Sequence, residues 1–187
     1  MWPFRDRKKD TRSGRLVFLI ECLLNQNARD LGAAESPAIT REVLDLLADH
    51  GVGMVQIPCP EIACLGFERR RASGQSLRKA MEAAESVVSC QRLSVETVDR
   101  IQCYVEQGYQ VLAVLGGNEQ SPGCAVHAVE DGSETLAESS GIFLQALAKE
   151  LARRGLRIPF RGIRDANRKL LDEDLGWLRE CLSGSGK

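Results

Sequence analysis

Three cysteines of this chain each follow an apolar run that predicts a buried β-strand. The runs cover residues 17–20, 52–57 and 109–115, and the cysteines are Cys22, Cys59 and Cys124. In a parallel α/β sheet the carboxyl ends of the strands meet at one edge, where ligands bind. Three thiolates at that edge would suit a soft metal or an iron–sulfur cluster. They are one ligand short of a closed four-cysteine site, which leaves a position open to a substrate.

The elements that must bring these cysteines together alternate between strand and helix. Helices are predicted from Ser36-Pro37 to Gly51, over 74–90, from a cap at Ser94 to Gly108, over 142–154, and from a cap at Asp165 to about 181. A further strand is predicted over 156–163. This alternation predicts an α/β fold, a three-layer Rossmann-like parallel sheet with helices on both faces and right-handed crossovers.

The same pattern divides the chain into three parts. We expect a flexible lead-in over 1–14, a single α/β domain over 15–182 and a frayed tail over 183–187. The domain is long enough for one substantial hydrophobic core.

Composition excludes several classes of protein. The net charge of −1 provides no global basic field for a polyanion, and 5% aromatic residues argue against a base-stacking surface. No stretch approaches the ~18 apolar residues of a membrane span. The chain has seven cysteines and no recognisable secretory signal, which predicts a cytoplasmic protein. In that compartment cysteines indicate metal binding, redox chemistry or burial more often than disulfides.

The other cysteines have plainer interpretations. Cys90, Cys103 and Cys181 fall in predicted helices, where a free cysteine is usually a small core or surface residue. Cys64 lies five positions after Cys59, and its position leaves open whether it lines the same site.

Three short motifs resemble those of the 2-thiouracil desulfurase (TudS) family. The segment ECLLNQNARDLG around Cys22 resembles the family's ACLLGxNxRYDG, and CPE at 59–61 with a downstream glycine and arginine resembles its second motif. The segment SPGC at 121–124 resembles its SPSCG, with Gly123 and Ala125 in place of serine and glycine. The motifs occur in the family's order at similar intervals, which indicates a divergent member.

The resemblance implies a [4Fe-4S] cluster held by Cys22, Cys59 and Cys124. Its fourth iron would have no protein ligand and would accept sulfur from a small thiocarbonyl compound such as a thionucleobase. The resemblance also implies that Glu61 and Ser121 transfer protons.

The chemistry of these two residues is compatible with that role, although each has an ordinary alternative. Glu61 can act as general base for an attacking water, or equally as a carboxylate in a turn or at a helix start. Ser121 can donate a hydrogen bond to the substrate or a cluster sulfur, or can be a turn serine before a proline.

Other polar residues near the motifs are candidates for binding. Asn27 and Arg29 are predicted to bind a polar heterocycle or carboxylate, unless they are solvated loop residues. The arginines at 69–71 form either a solvated face or an anion-binding site. His127 follows Cys124 by three positions, where it is either close to the site or a structural hydrogen-bonding residue.

Three functions follow from these observations. The first is a cluster-dependent desulfurase acting on a small thionated substrate. The second is a non-catalytic iron–sulfur or sulfur-carrier protein that delivers sulfide to a partner, and the third is an α/β domain with a structural zinc ion. The expected partners are a sulfur acceptor or cluster-assembly proteins, and neither nucleic acid nor a membrane is expected.

Overall fold

Four apolar segments form a wholly parallel β-sheet at the centre of the structure. The computed structural model describes residues 10–127 and 136–184. The strands are β1 (Arg15–Ile20), β2 (Gly53–Ile57), β3 (Gln110–Gly116) and β4 (Phe160–Gly162). They lie in the order β2–β1–β3–β4, and each neighbouring pair is parallel. The prediction of a parallel α/β sheet is therefore confirmed.

Helices cover both faces of this sheet. They are α1 (Glu21–Leu24), α2 (Arg41–Asp49), α3 (Pro60–Leu65), α4 (Leu77–Met81), α5 (Ala84–Glu106), α6 (Ile142–Arg153) and α7 (Arg168–Ser183). A 3₁₀ turn over Gln26–Ala28 follows α1. Helix α5 packs against α6, and α2 packs against α7. These two pairs give the predicted three-layer, Rossmann-like arrangement.

Burial along the strands follows their place in the sheet. The central strands β1 and β3 are buried almost throughout, because helices cover both of their faces. In the edge strand β2 only Val55 and Ile57 are buried. The long apolar runs of β1 and β3 were therefore the strongest strand signals in the sequence.

The first predicted helix begins later than its sequence signal. Ser36-Pro37 does not start α2, which begins at Arg41. The Ser36 hydroxyl donates to the Ile39 carbonyl, and the Thr40 amide donates to the Leu23 carbonyl. These bonds hold the segment against the turn after β1, so the proline lies in a loop.

Two other helix boundaries differ because an expected cap has another role. Ser94 does not begin a helix. It lies inside the 23-residue α5, where its hydroxyl donates to the Gln91 carbonyl. Asp165 does not cap α7, because the side chain of Asn167 accepts from the Leu170 amide instead. Of the strand predicted over 156–163, only the three residues of β4 (Phe160–Gly162) form a strand.

The chain ends are only partly described. Residues 1–9 of the predicted lead-in and 185–187 of the predicted tail lie outside the described residues. Helix α7 continues to Ser183, one residue beyond the predicted domain end, and Gly184 caps it. Among the described residues, no helix combines the length and apolar character needed to cross a membrane.

A buried carboxylate on α7 holds the segment after β4. The side chain of Asp174 is fully buried and accepts from Arg161 Nε at 2.7 Å and Arg164 Nη2 at 2.6 Å. It also accepts from the Arg164 amide at 2.9 Å. The carboxylate thus connects α7 to the loop that carries Arg164 towards the carboxyl edge of the sheet.

We expect Asp174→Ala to lower the free energy of unfolding by about 3 kcal/mol, because it leaves two arginines without their buried partner. Asp172→Ala is the matched control, since Asp172 pairs with Arg168 on the exposed face of the same helix. It should cost less than about 1 kcal/mol. Urea unfolding measures both, and equal losses would contradict the assigned role of Asp174.

Candidate functional site

A cavity of about 580 Å³ opens at the carboxyl edge of the sheet. Loops after all four strands contribute to its lining, which includes Cys22, Arg29, Cys59, Glu61, Arg69, Asn118, Ser121, Cys124, Arg164 and Asn167. The sheet order places β2 on one side of β1 and β3 on the other, so successive connections diverge at this point. Open α/β sheets bind ligands at such a switch point.

The structure brings the three motif cysteines together in this lining. Cys22 lies in the first turn of α1, directly after β1. Cys59 is the N-cap residue of α3, with Pro60 at the first helical position. Cys124 is buried in the loop after β3. The three thiols thus reach one cavity from three strand ends.

Glycines allow the loop that carries Cys124 to pack this closely. A Cβ atom on Gly117 would lie 2.9 Å from Cys124 Sγ, and one on Gly123 would lie 2.7 Å from Pro60 Cγ. A Cβ atom on Gly141, the N-cap residue of α6, would overlap the Gly123 carbonyl oxygen. Gly123 therefore lets the loop approach α3.

Burial strongly affects the protonation of the three thiols. It raises the pKa of Cys22 to about 12, although the nearby Arg29 opposes the shift. Burial also raises the pKa of Cys59, against backbone hydrogen bonds at the start of α3, and it raises the pKa of Cys124 well above the ordinary value. The thiols of the metal-free protein are therefore protonated at neutral pH. A metal must displace their protons, so its affinity rises with pH.

Glu61, Ser121 and Cys124 form a continuous hydrogen-bonded chain. The Ser121 hydroxyl donates to Glu61 Oε1 at 2.9 Å and lies 3.1 Å from Cys124 Sγ. The Cys124 amide also donates to Ser121 Oγ. Glu61 itself is buried. A proton can therefore pass between the cavity and Glu61 through the serine hydroxyl.

Only one arginine of the 69–71 triplet enters the site. Arg69 is buried, whereas Arg70 and Arg71 are exposed. Arg69 Nη2 lies 3.7 Å from Cys59 Sγ, and Arg69 Nε lies 3.7 Å from Glu61 Oε2. The triplet is thus neither wholly a solvated face nor wholly an anion site.

Asp165 is the main site residue that sequence reasoning missed. Its carboxylate accepts from Arg29 Nη2 at 2.6 Å and from Asn118 Nδ2 at 2.8 Å. Gln26 Nε2 and the Thr40 hydroxyl also donate to it, each at 3.1 Å. Loops after β1, β3 and β4 meet at this one carboxylate. Its position directly after the fourth apolar run was the available signal.

The structure separates several candidates from the cavity lining. Asn27 is exposed, and its Nδ2 donates to Asn25 Oδ1, because the 3₁₀ turn directs it away from the cavity lined by Arg29. Cys64 contacts Cys90, with the sulfurs 3.6 Å apart. His127 contacts the Glu119 carbonyl through Nε2 at 3.0 Å.

The thiols of Cys22, Cys59 and Cys124 are the type of ligand that an iron–sulfur cluster takes. Within residues 10–127 and 136–184, no three His, Cys, Asp or Glu side chains converge tightly enough to hold one metal ion. A cluster accepts thiolates further apart, on the order of 6 Å, because each binds a different iron. Burial, thiol chemistry and nearby guanidinium groups are all compatible with such a group at Cys22, Cys59 and Cys124.

Comparison with known proteins leaves the family open. No protein-family profile and no solved structure matches the chain. An uncharacterized protein of Methanocaldococcus jannaschii, MJ0003, is 23% identical over 137 residues, which cover 73% of this chain and 78% of the relative.

We expect Arg29→Gln and Asp165→Asn each to destabilise the protein by about 3 kcal/mol, because each leaves a buried charge unpaired. The double variant should lose less than the two single losses combined, since neither charge then remains. Urea unfolding of the three variants measures this coupling. Strictly additive losses would show that the pair does not act as a unit.

Proposed function

We propose that this protein is an iron–sulfur-dependent desulfurase that removes sulfur from a small thiocarbonyl compound. The observation that carries the proposal is the meeting of Cys22, Cys59 and Cys124 with the Glu61–Ser121 pair in one cavity. These residues come from three motifs that resemble the 2-thiouracil desulfurase family. The proposal places the protein in a reducing cytoplasm, where the thiols and cluster-assembly proteins would coexist.

Cys22, Cys59 and Cys124 would hold a [4Fe-4S] cluster. When bound, the cluster supplies an iron without a protein ligand, which acts as a Lewis acid with affinity for sulfur. Among the described residues, Cys22, Cys59 and Cys124 are the cysteines that line the cavity, so the protein would supply three thiolates to the cluster.

The overall reaction is a hydrolysis that requires no oxidant or reductant. The carbon–sulfur bond breaks, a carbon–oxygen bond to water forms, and the products are a carbonyl compound and hydrogen sulfide. Glu61 takes a proton from the attacking water, and the Ser121 hydroxyl carries protons between Glu61 and the reacting atoms. The 2.9 Å bond between these two side chains supports this division of roles.

The cavity also limits the kind of substrate. A volume of about 580 Å³ suits a small heterocycle rather than a polymer. Asn118 and Asn167 line the cavity, where Asn118 Nδ2 donates to Asp165 and Asn167 Oδ1 accepts from the Leu170 amide. Arg29 serves the substrate indirectly, because its guanidinium group is already paired with Asp165.

Single replacement of Cys22, Cys59 or Cys124 by alanine should abolish cluster binding, because the thiolates act jointly. The measurement is iron per chain after anaerobic reconstitution. Cys103→Ala is the matched control, since Cys103 is exposed on α5 and should be dispensable. Normal iron loading in Cys124→Ala would refute the ligand assignment.

Glu61→Gln should keep the cluster and lower the rate of sulfide release from 2-thiouracil by about 10²-fold or more, because an amide cannot take a proton from water. Glu68→Gln, at an exposed position on the same segment, should retain the wild-type rate. Full activity in Glu61→Gln would place the base elsewhere. A cluster-loaded wild type that releases no sulfide from thiocarbonyl compounds would favour the sulfur-carrier function instead.

A further inference from the structure

We propose that Arg69 binds the sulfur that leaves the substrate, holding it as a hydrosulfide anion in the cavity. This inference rests on the proposed function, because a desulfurase must accommodate that product. It assigns an anion-binding role to a residue whose side chain is only 1% exposed.

The guanidinium group of Arg69 lies between a predicted ligand and the predicted base. Its Nη2 is 3.7 Å from Cys59 Sγ, and its Nε is 3.7 Å from Glu61 Oε2. Nη1 donates to the Phe67 carbonyl at 2.7 Å, and Nη2 also donates to the Ala28 carbonyl. These backbone contacts fix the plane of the group, so that it is oriented before any ligand arrives.

One donor of this fixed group has no acceptor. Among the described residues, none offers an acceptor within hydrogen-bonding distance of Arg69 Nε, although that atom is buried. Buried donors are normally satisfied, and an orphaned one indicates a missing partner. The backbone at Arg69 also has a φ of 46°, a conformation that residues with a side chain rarely adopt. The fold therefore holds a strained residue in order to place this donor.

The other cations of the cavity form shorter ion pairs than Arg69 does. Three arginines are the cations among the described lining residues: Arg29, Arg69 and Arg164. Arg29 pairs with Asp165 at 2.6 Å, and Arg164 pairs with the fully buried Asp174 at 2.6 Å. Arg69 pairs with Glu61, but the distance from its Nε to Glu61 Oε2 is 3.7 Å. Among the described lining residues, Arg69 is thus the cation with the longest ion pair, and its Nε remains available to an anionic ligand.

A hydrosulfide anion matches this position chemically. Hydrolysis of a thiocarbonyl compound transfers the water oxygen to carbon and releases the sulfur with the protons of water. One of those protons goes to sulfur, and Glu61 retains the other until the product leaves. The guanidinium group offsets the negative charge on the departing sulfur through a charge-assisted hydrogen bond.

The test is a calorimetric titration of the full chain with sodium hydrosulfide under anaerobic conditions, on both the metal-free and the reconstituted protein. Wild type should bind hydrosulfide saturably, and Arg69→Gln should weaken binding by about tenfold or more, since a charged hydrogen bond is lost. Arg69→Lys keeps the charge without the Nε donor and should bind with intermediate affinity. Arg70→Gln is the matched control, because Arg70 is exposed, and it should bind as wild type does.

The outcomes separate this inference from the proposed function. A wild type that takes up no iron contradicts the proposed function, while the metal-free titration still tests Arg69. Equal hydrosulfide affinity in wild type and Arg69→Lys, or no saturable binding to wild type, would overturn the inference. If circular dichroism shows that Arg69→Gln is unfolded, the comparison of wild type with Arg69→Lys decides the question.

Discussion

The convergence of four donors on the buried Asp165 carboxylate is the interaction on which the site depends. Arg29, Gln26 and Thr40 reach it from the segment after β1, and Asn118 reaches it from the loop after β3. A buried carboxylate without such partners would be strongly unfavourable, so these loops are held together as one body. The network therefore ties the segment after β1, which carries Cys22, to the loop after β3, which carries Cys124.

A second constraint is the balance of charge in the cavity. Among the described residues, three arginines and three cysteines line the cavity, and the thiols would become thiolates on metal binding. Asp165 and Asp174 pair with Arg29 and Arg164 at 2.6 Å, whereas Arg69 pairs with Glu61 at 3.7 Å and lies beside Cys59. The site thus holds positive charge next to sulfur and a carboxylate next to the serine hydroxyl.

The proton path and the sulfur position come from different parts of the fold. Glu61 lies on α3, directly after the Cys59 cap, whereas Ser121 lies in the loop after β3. Gly123, two residues after Ser121, packs closely against this region, since a Cβ atom there would lie 2.7 Å from Pro60 Cγ and 3.3 Å from Glu61 Cγ.

The sequence alone determined the sheet and the residues that follow its strands. Long apolar runs mark β1 and β3 because central parallel strands are buried on both faces, and the cysteines after the runs necessarily lie at one edge. The sequence did not determine where α2 begins or that α5 is continuous. A serine such as Ser94 can cap a helix or lie inside one, and the tertiary packing decides which. Only the tertiary structure showed that Arg29 lines the cavity and Asn27 does not, and that Arg69 is buried while its two neighbours are exposed. It also showed that Asp165 joins three loops and does not cap a helix. Those choices depend on which side chains meet across loops far apart in the chain, and burial and pairing of charge decide them.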